Sequence, residues 1–205
     1  PGTDSLFVVR RTPFNYTSQV ARGIDFETSY RFEMGDLLDG APGSVRLRAL
    51  ATNYKRNATT TEGIVDDTAG MNTSFGPPSW KWNASIDYAL ESFSASVTAR
   101  GISSGVYDND WIECSSDCPT STTKYVTVSD NHIDGAVYFD LALSYGIDVG
   151  AMQIEGFLNV RNITDKDPAI VAANPGGFNY TIAPANARLY DVLGRTFTVG
   201  FRMNL

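Results

Sequence analysis

The last eleven residues, 195–205, read RTFTVGFRMNL, and apolar and polar side chains alternate along them up to the final residue. Successive side chains of a β-strand point to opposite sides, so this alternation gathers the apolar ones on one face. That face holds Phe197, Val199, Phe201, Met203 and Leu205. The stretch therefore predicts a β-strand with one side in apolar surroundings along its whole length.

The same two-residue period recurs through the chain, whereas a helical period is nearly absent. Within residues 22–33, for example, Ile24 and Phe26 alternate with Asp25 and Glu27. The pattern predicts an all-β protein of about eight strands. The predicted strands cover residues 5–12, 22–33, 44–55, 79–90, 93–101, 136–147, 152–162 and 195–205.

The connections between these segments alternate between long and short. Long loops are predicted over residues 57–78, 103–134 and 164–187. Tight turns are predicted at residues 91–92 and 148–150, with a turn of moderate length over 35–43. In an up-and-down antiparallel sheet, successive connections emerge at opposite ends, so the long loops gather at one end. This layout is typical of bacterial outer-membrane barrels, with long extracellular loops and short periplasmic turns.

The composition narrows the class of protein. The chain has 205 residues, a formal net charge of −7 and 19% charged residues. An acidic chain without a basic stripe is not expected to bind nucleic acid. No apolar run is long enough for a membrane helix, but a membrane β-strand needs only about ten alternating residues. The chain begins at Pro1 without a Met or a basic and apolar start, so we expect a fragment or a processed product.

A soluble β-sandwich is the alternative, because its strands also alternate apolar and polar residues. The inferred connectivity is a plain meander without Greek-key returns, which favours the barrel. The polar side of residues 22–33 is also heavily charged, with Asp25, Glu27, Arg31 and Glu33 in one row. A sandwich would expose such a row to solvent, so this second feature does not separate the two architectures.

The two cysteines, Cys114 and Cys118, lie in one short segment, CSSDC, within a predicted loop. This spacing among turn-forming residues favours a loop disulfide, which implies an oxidising compartment. Two free thiols remain the alternative. A zinc site is not expected, because no second Cys/His pair completes four ligands.

Several segments resemble the C-terminal part of a TonB-dependent outer-membrane receptor. ARGIDFETSYRF (21–32) is similar to the recurrent strand start of that family, and PPSWKWNASIDY (77–88) to its strand opening with Pro and Trp. LNVRNITDKDPAIV (158–171) looks like its Asn-Leu-Phe-Asp-Lys-x-Pro segment, and ARLYDVLGRTFTVGFRMNL (187–205) like its ending. The matches occur in order and span nearly the whole chain.

The resemblance implies a part of a larger machine. Family members are barrels of about 22 strands with a plugged lumen. Residues 1–205 would then form the C-terminal portion of the barrel, without the plug domain. The implied partners are outer-membrane lipid, the plug and preceding strands of the same receptor, and TonB, which would act through the missing N-terminal part. Phe201 and Leu205 would form the signal that the outer-membrane assembly machinery recognises.

Candidate ligand contacts are aromatic residues of the long loops and arginines on the polar side of the strands. Loops on a rigid scaffold carry most binding residues. The candidates are Phe75, Tyr107, Trp111, Phe178 and Tyr180 in loops, and Arg46, Arg48 and Arg100 facing the predicted lumen. Such a mixture suits an extracellular small molecule, for example a siderophore or an oligosaccharide. Each residue is equally consistent with loop packing or wall lining.

No arrangement of residues indicates catalysis, a metal site or a cofactor. The single histidine, His132, lies in a predicted loop without a nucleophile pattern around it. The leading hypothesis is therefore a section of an active transporter in the bacterial outer membrane. The alternatives are a complete eight-stranded outer-membrane barrel with a structural or adhesion role, and a soluble secreted β-domain that binds a glycan.

Overall fold

The computed structural model describes residues 18–73, 76–150, 152–171 and 185–204. Strands dominate these ranges, and a single 3-10 turn, Met34–Asp36, is the one helical element within them. The strands are β1 (Ser18–Glu33), β2 (Ser44–Thr61), β3 (Ile64–Asp67), β4 (Trp80–Leu90), β5 (Phe93–Ile102), β6 (Gly105–Val106), β7 (Ile112–Glu113), β8 (Thr127–Val128), β9 (His132–Ile133), β10 (Ala136–Val149), β11 (Met152–Arg161) and β12 (Thr196–Asn204).

Seven long strands form one up-and-down antiparallel sheet in the order β1-β2-β4-β5-β10-β11-β12. Each long strand pairs with the next long strand along the chain, so the sheet contains no crossover. The short strand β3 pairs with the end of β2 and makes the sheet eight-stranded. Within the described residues, β1 and β12 do not pair with each other, so each leaves one edge open. The predicted all-β meander is confirmed.

Seven of the predicted strands coincide with β1, β2, β4, β5, β10, β11 and β12. The predicted strand at residues 5–12 lies outside the described residues. The loop predicted over 57–78 is wrong in its first part, because β2 continues to Thr61 and turns back into β3. Glu62 and Gly63 both have positive φ, 52° and 81°, as a two-residue hairpin turn requires.

The long hairpin β1–β2 carries one irregularity. The register shifts between Arg22 and Gly23, where β2 holds the extra residue Lys55. A Cβ built on Gly23 would lie 2.5 Å from the carbonyl oxygen of Asn53. Only glycine therefore fits this close approach of two backbones, which is a common role of glycine beside a β-bulge.

The pairing register aligns side chains of like polarity across the sheet. On β4, Trp80, Ile86 and Tyr88 lie on one side, which we call the apolar face, while Lys81 and Asp87 lie on the other, the polar face. The alternation of β12 continues the two faces to the last described strand, with Val199 opposite Leu158 on the apolar face and Arg202 opposite Glu155 on the polar face. Both faces run across all seven long strands.

The long connections meet at one end of the sheet, the loop end, and the short turns at the other. The loop predicted over 103–134 contains the short pairs β6–β9 and β7–β8. The main cluster of buried side chains also lies at the loop end. It consists of Ile102, Ile133, Ala136, Tyr138 and Tyr190, with Tyr107, Ala169, Val171 and Leu189 packed against it.

Among the described residues, no helix has the length and apolar character needed to cross a membrane.

Candidate binding site

The polar face of the sheet carries several exposed ion pairs and hydrogen bonds between neighbouring strands. An Arg48 Nη2 donates to Glu27 Oε1 at 2.8 Å, and Arg202 Nη1 donates to Glu155 Oε1 at 3.0 Å. The hydroxyl of Thr52 donates to Asp25 at 2.7 Å. Each exposed pair contributes at most about 1 kcal/mol. The pattern therefore marks a hydrated surface rather than a low-dielectric interior.

Arg100 occupies a different setting near the loop end. Its guanidinium donates to both carboxylate oxygens of Asp140, at 2.5 and 3.1 Å, and to Asp191 Oδ2 at 3.3 Å. It also lies over the ring of Tyr138, 5.4 Å from the ring centroid. The backbone N–H of Asp191 donates to the Tyr138 hydroxyl at 3.2 Å. Two carboxylates and one ring thus fix Arg100 and join the polar face of the sheet to the segment before β12.

An open groove of about 570 Å³ lies beside this cluster. One side is the polar face at the loop end, with Thr52, Lys81, Asn83 and Arg161. The other side is the segment 187–193, which the contact between Arg100 and Asp191 holds against the sheet. Pockets for small molecules usually measure about 300–1,000 Å³, so this groove has a suitable size.

A second, smaller groove of about 390 Å³ lies further toward the turn end on the same face. Arg46 lines it, together with Arg31, Asp87, Glu155 and Arg202. The three predicted arginines therefore do not form one site. Arg48 pairs with Glu27, Arg46 lines the smaller groove, and Arg100 lines the larger one.

Two of the predicted loop aromatics meet. The rings of Tyr107 and Trp111 stack with centroids 6.1 Å apart. Tyr107 packs against the buried cluster, and the amide oxygen of Asn131 accepts from its backbone N–H at 3.2 Å. Cys114 and Cys118 form the expected disulfide in the same loop. The stacked pair thus belongs to a folded loop, with Trp111 at its partly exposed side.

The remaining predicted residues divide between one exposed position and the undescribed part of the chain. Phe201 lies on the apolar face of β12 with 69% of its surface exposed. Four predicted residues lie outside the described ranges, namely Phe75, Phe178, Tyr180 and Leu205.

Sequence reasoning missed a buried polar network that connects three loops. Asn72 is fully buried, and its Nδ2 donates to the carbonyl of Ser103 at 2.8 Å and to the Tyr190 hydroxyl at 3.1 Å. The Tyr190 hydroxyl donates in turn to the carbonyl of Asp134 at 2.6 Å. Burial raises the pKa of Tyr190 above its usual value. The signal available was the Tyr190-Asp191 pair in the family-like ending, although nothing in the sequence assigns it a partner.

Groups of three or more potential metal ligands do not occur in the described ranges. Comparisons of the chain with protein-family models, curated proteins and solved structures find no match. The site is a charged, open groove beside a folded layer of loops.

Proposed function

We propose that this chain is the C-terminal wall section of a TonB-dependent outer-membrane receptor that imports a scarce solute. The observation that carries the proposal is the exposed apolar face. It includes Phe26 at 54%, Ile86 at 56% and Val199 at 77% exposure, on three strands that span the sheet. Water-soluble proteins rarely leave so wide an apolar surface uncovered.

Lipid is the cover that best fits this face. A soluble sandwich would place a second sheet about 10 Å away over the apolar face. In the described residues the two additional sheets have two strands each and belong to the loop between β5 and β10. They do not supply such a layer. A row of apolar side chains on every long strand, with charges on the opposite face, matches the lipid side and lumen side of a membrane barrel wall.

The open edges of β1 and β12 support a section of a larger barrel over a complete eight-stranded one. Membrane barrels close, because unpaired strand edges are costly in hydrocarbon. Further strands of the same receptor would pair with these edges. In this arrangement the loop end faces outside the cell and binds the solute, and TonB acts on the plug. The chain contributes binding and passage rather than a chemical reaction.

The membrane part of the proposal is tested by the depth of two neighbouring side chains. Val199→Cys places a thiol on the apolar face, and Thr198→Cys places one on the polar face of the same strand. The native cysteines are joined in a disulfide, so a fluorescent maleimide labels only the new thiol. After reconstitution into vesicles of brominated phosphatidylcholine, we expect strong quenching at 199 and weak quenching at 198. Equal quenching at both sites, or none at either, contradicts the membrane wall.

The transport part is tested in cells that express the complete protein to which this chain belongs. We expect accumulation of a labelled ferric siderophore or a labelled oligosaccharide to require both TonB and the strands β11 and β12. Accumulation that survives loss of TonB contradicts a TonB-dependent receptor. Quenching at 199 together with cell adhesion but no accumulation would favour the complete small barrel.

A further inference from the structure

The charge of the larger groove is opposite to that of the chain. Four cationic side chains line it, and Asp191 is its single acidic lining residue. The cations are Lys81, Arg100, Arg161 and Arg188. The whole chain, in contrast, has a net charge of −7. A positive groove on an acidic protein concentrates anions locally, because its walls focus the field.

The cations of the groove are not equivalent. Arg100 has its donors occupied by Asp140 and Asp191. Lys81 and Arg161, which are both exposed, form no salt bridge among the described residues, although Asp140 interacts with Arg161 electrostatically over a longer distance. The residues outside the described ranges contain a single acidic side chain, Asp4. Neither charge is therefore neutralised by a direct salt bridge within the described residues.

Lys81 and Arg161 stand on opposite sides of the Arg100 cluster. Lys81 begins the polar face of β4, and Arg161 ends β11. Strands β5 and β10 lie between them, which separates their backbones by about 14 Å across the sheet, and the register sets Arg161 level with Ser85, which adds about 13 Å along the strands. Two long side chains can converge on a small molecule across such a width, but they need an anionic group at each end of it.

We propose that this groove binds a small organic anion with two or more carboxylate groups, held by Lys81 and Arg161. The Arg161 guanidinium offers a planar pair of donors to one carboxylate, and the Lys81 ammonium offers a point charge to another. The amide of Asn83 and the hydroxyl of Thr52 supply neutral polar contacts on the same wall. The inference rests on the proposed function for its role in uptake, since it gives the class of the imported solute.

The test measures binding of tricarballylate, a tricarboxylate, to the chain in detergent micelles by calorimetry. The trimethyl ester of tricarballylate is the neutral control ligand. Lys81→Gln and Arg161→Gln remove the proposed contacts. Lys55→Gln and Arg22→Gln are the matched controls, because these two cations lie on β2 and β1 away from the groove. Near-ultraviolet circular dichroism verifies that each variant is folded.

We expect the wild-type chain to bind tricarballylate and not its ester. Each groove variant should weaken binding about tenfold or more, because a hydrogen bond between charged groups is lost, and neither control should change it. Added salt should also weaken binding. Absence of binding by the wild-type chain, equal binding of the ester, or equal losses in the control variants would overturn the inference. Inorganic phosphate that competes as strongly as tricarballylate would also overturn it, by showing a site for any anion.

The depth measurement at residues 198 and 199 keeps the two proposals separate. Lys81→Gln and Arg161→Gln should leave the quenching contrast unchanged, because both residues lie on the polar face. A preserved contrast with no tricarballylate binding removes the ligand inference alone. If labels at 198 and 199 are quenched equally in the chain without groove substitutions, the proposed membrane wall is contradicted, whatever the binding result.

Discussion

The loop end and the apolar face of this sheet place similar apolar residues in opposite environments. At the loop end, Ile133 and Tyr190 are 1% and 3% exposed, because three loops fold over them. On the apolar face of the wall, side chains of the same kind remain open, as Val199 and Phe201 illustrate. The loop end therefore contains its own cover, whereas the described residues supply no cover for the apolar face. The two regions should respond differently to the same class of substitution.

The largest effect is expected at Tyr190. Tyr190→Ala removes a buried ring and its two hydrogen bonds, and it should lower the free energy of unfolding by about 3–5 kcal/mol. Phe201→Ala on the open wall is the matched control and should cost less than about 1 kcal/mol in detergent, since most of its surface is already exposed. Urea unfolding followed by tryptophan fluorescence measures both. Equal losses of stability in the two variants would contradict the distinction between the two regions.

A lysine on the apolar face distinguishes a lipid cover from water. If lipid covers this face as proposed, Ile86→Lys in the middle of β4 should destabilise the chain in bilayers by about 2–4 kcal/mol, because the charge would then face hydrocarbon. Ser85→Lys, one residue away on the polar face, should change the stability by less than about 1 kcal/mol. Unfolding in urea from lipid vesicles provides the comparison. Two equally mild effects would indicate that water covers the apolar face.

The ion pairs of Arg100 should contribute less to the free energy of unfolding than the buried ring of Tyr190, but more than an exposed ion pair on the polar face. Arg100→Gln leaves the Asp191 carboxylate, which is only 7% exposed, without its cation, and should cost about 1–3 kcal/mol. Arg202→Gln removes the exposed pair with Glu155 and should cost under about 1 kcal/mol. If hydrogen exchange at residues 187–193 does not accelerate in Arg100→Gln, the cluster does not hold this segment.

The smallest effect is a pH dependence from Tyr190. In the unfolded chain its phenol ionises near pH 10, and burial raises the pKa in the folded chain. Its contribution to stability is therefore complete below about pH 10 and is lost as pH rises through the folded value. Tyr190→Phe lacks this dependence, so the stability difference between wild type and variant should shrink above about pH 10. A constant difference from pH 8 to pH 11 would contradict the shift.

The strands could be predicted from the sequence because the alternation of apolar and polar residues is a local property. Residues 22–33 and 195–205 display their apolar side directly, and the face of Arg100 follows from its position in that pattern. The partners of Arg100 do not, since Asp140 and Asp191 are 40 and 91 positions away. The contact between Asn72 and Tyr190 spans 118 positions. Such contacts depend on how loops fold over one another, which no short-range period encodes.

The missed β2–β3 hairpin has a different cause. β3 follows β2 through Glu62-Gly63, and the turn signal was present in the sequence. The short strand has no clear alternation of its own, and its residues pair only with the end of β2. A hairpin of this length is therefore recognised from its turn and not from its periodicity.

The length of β2 makes the rim of the sheet uneven. β4 leaves β2 at Asn53, yet β2 continues with β1 and β3 to Thr61, about 27 Å further at the usual rise per residue. On the opposite side β11 and β12 end near Arg161 and Thr196, without such an extension. The groove is thus enclosed by two different structures: a tall strand ribbon rises beyond it on the β1 side, and within the described residues the segment 187–193 bounds it on the other.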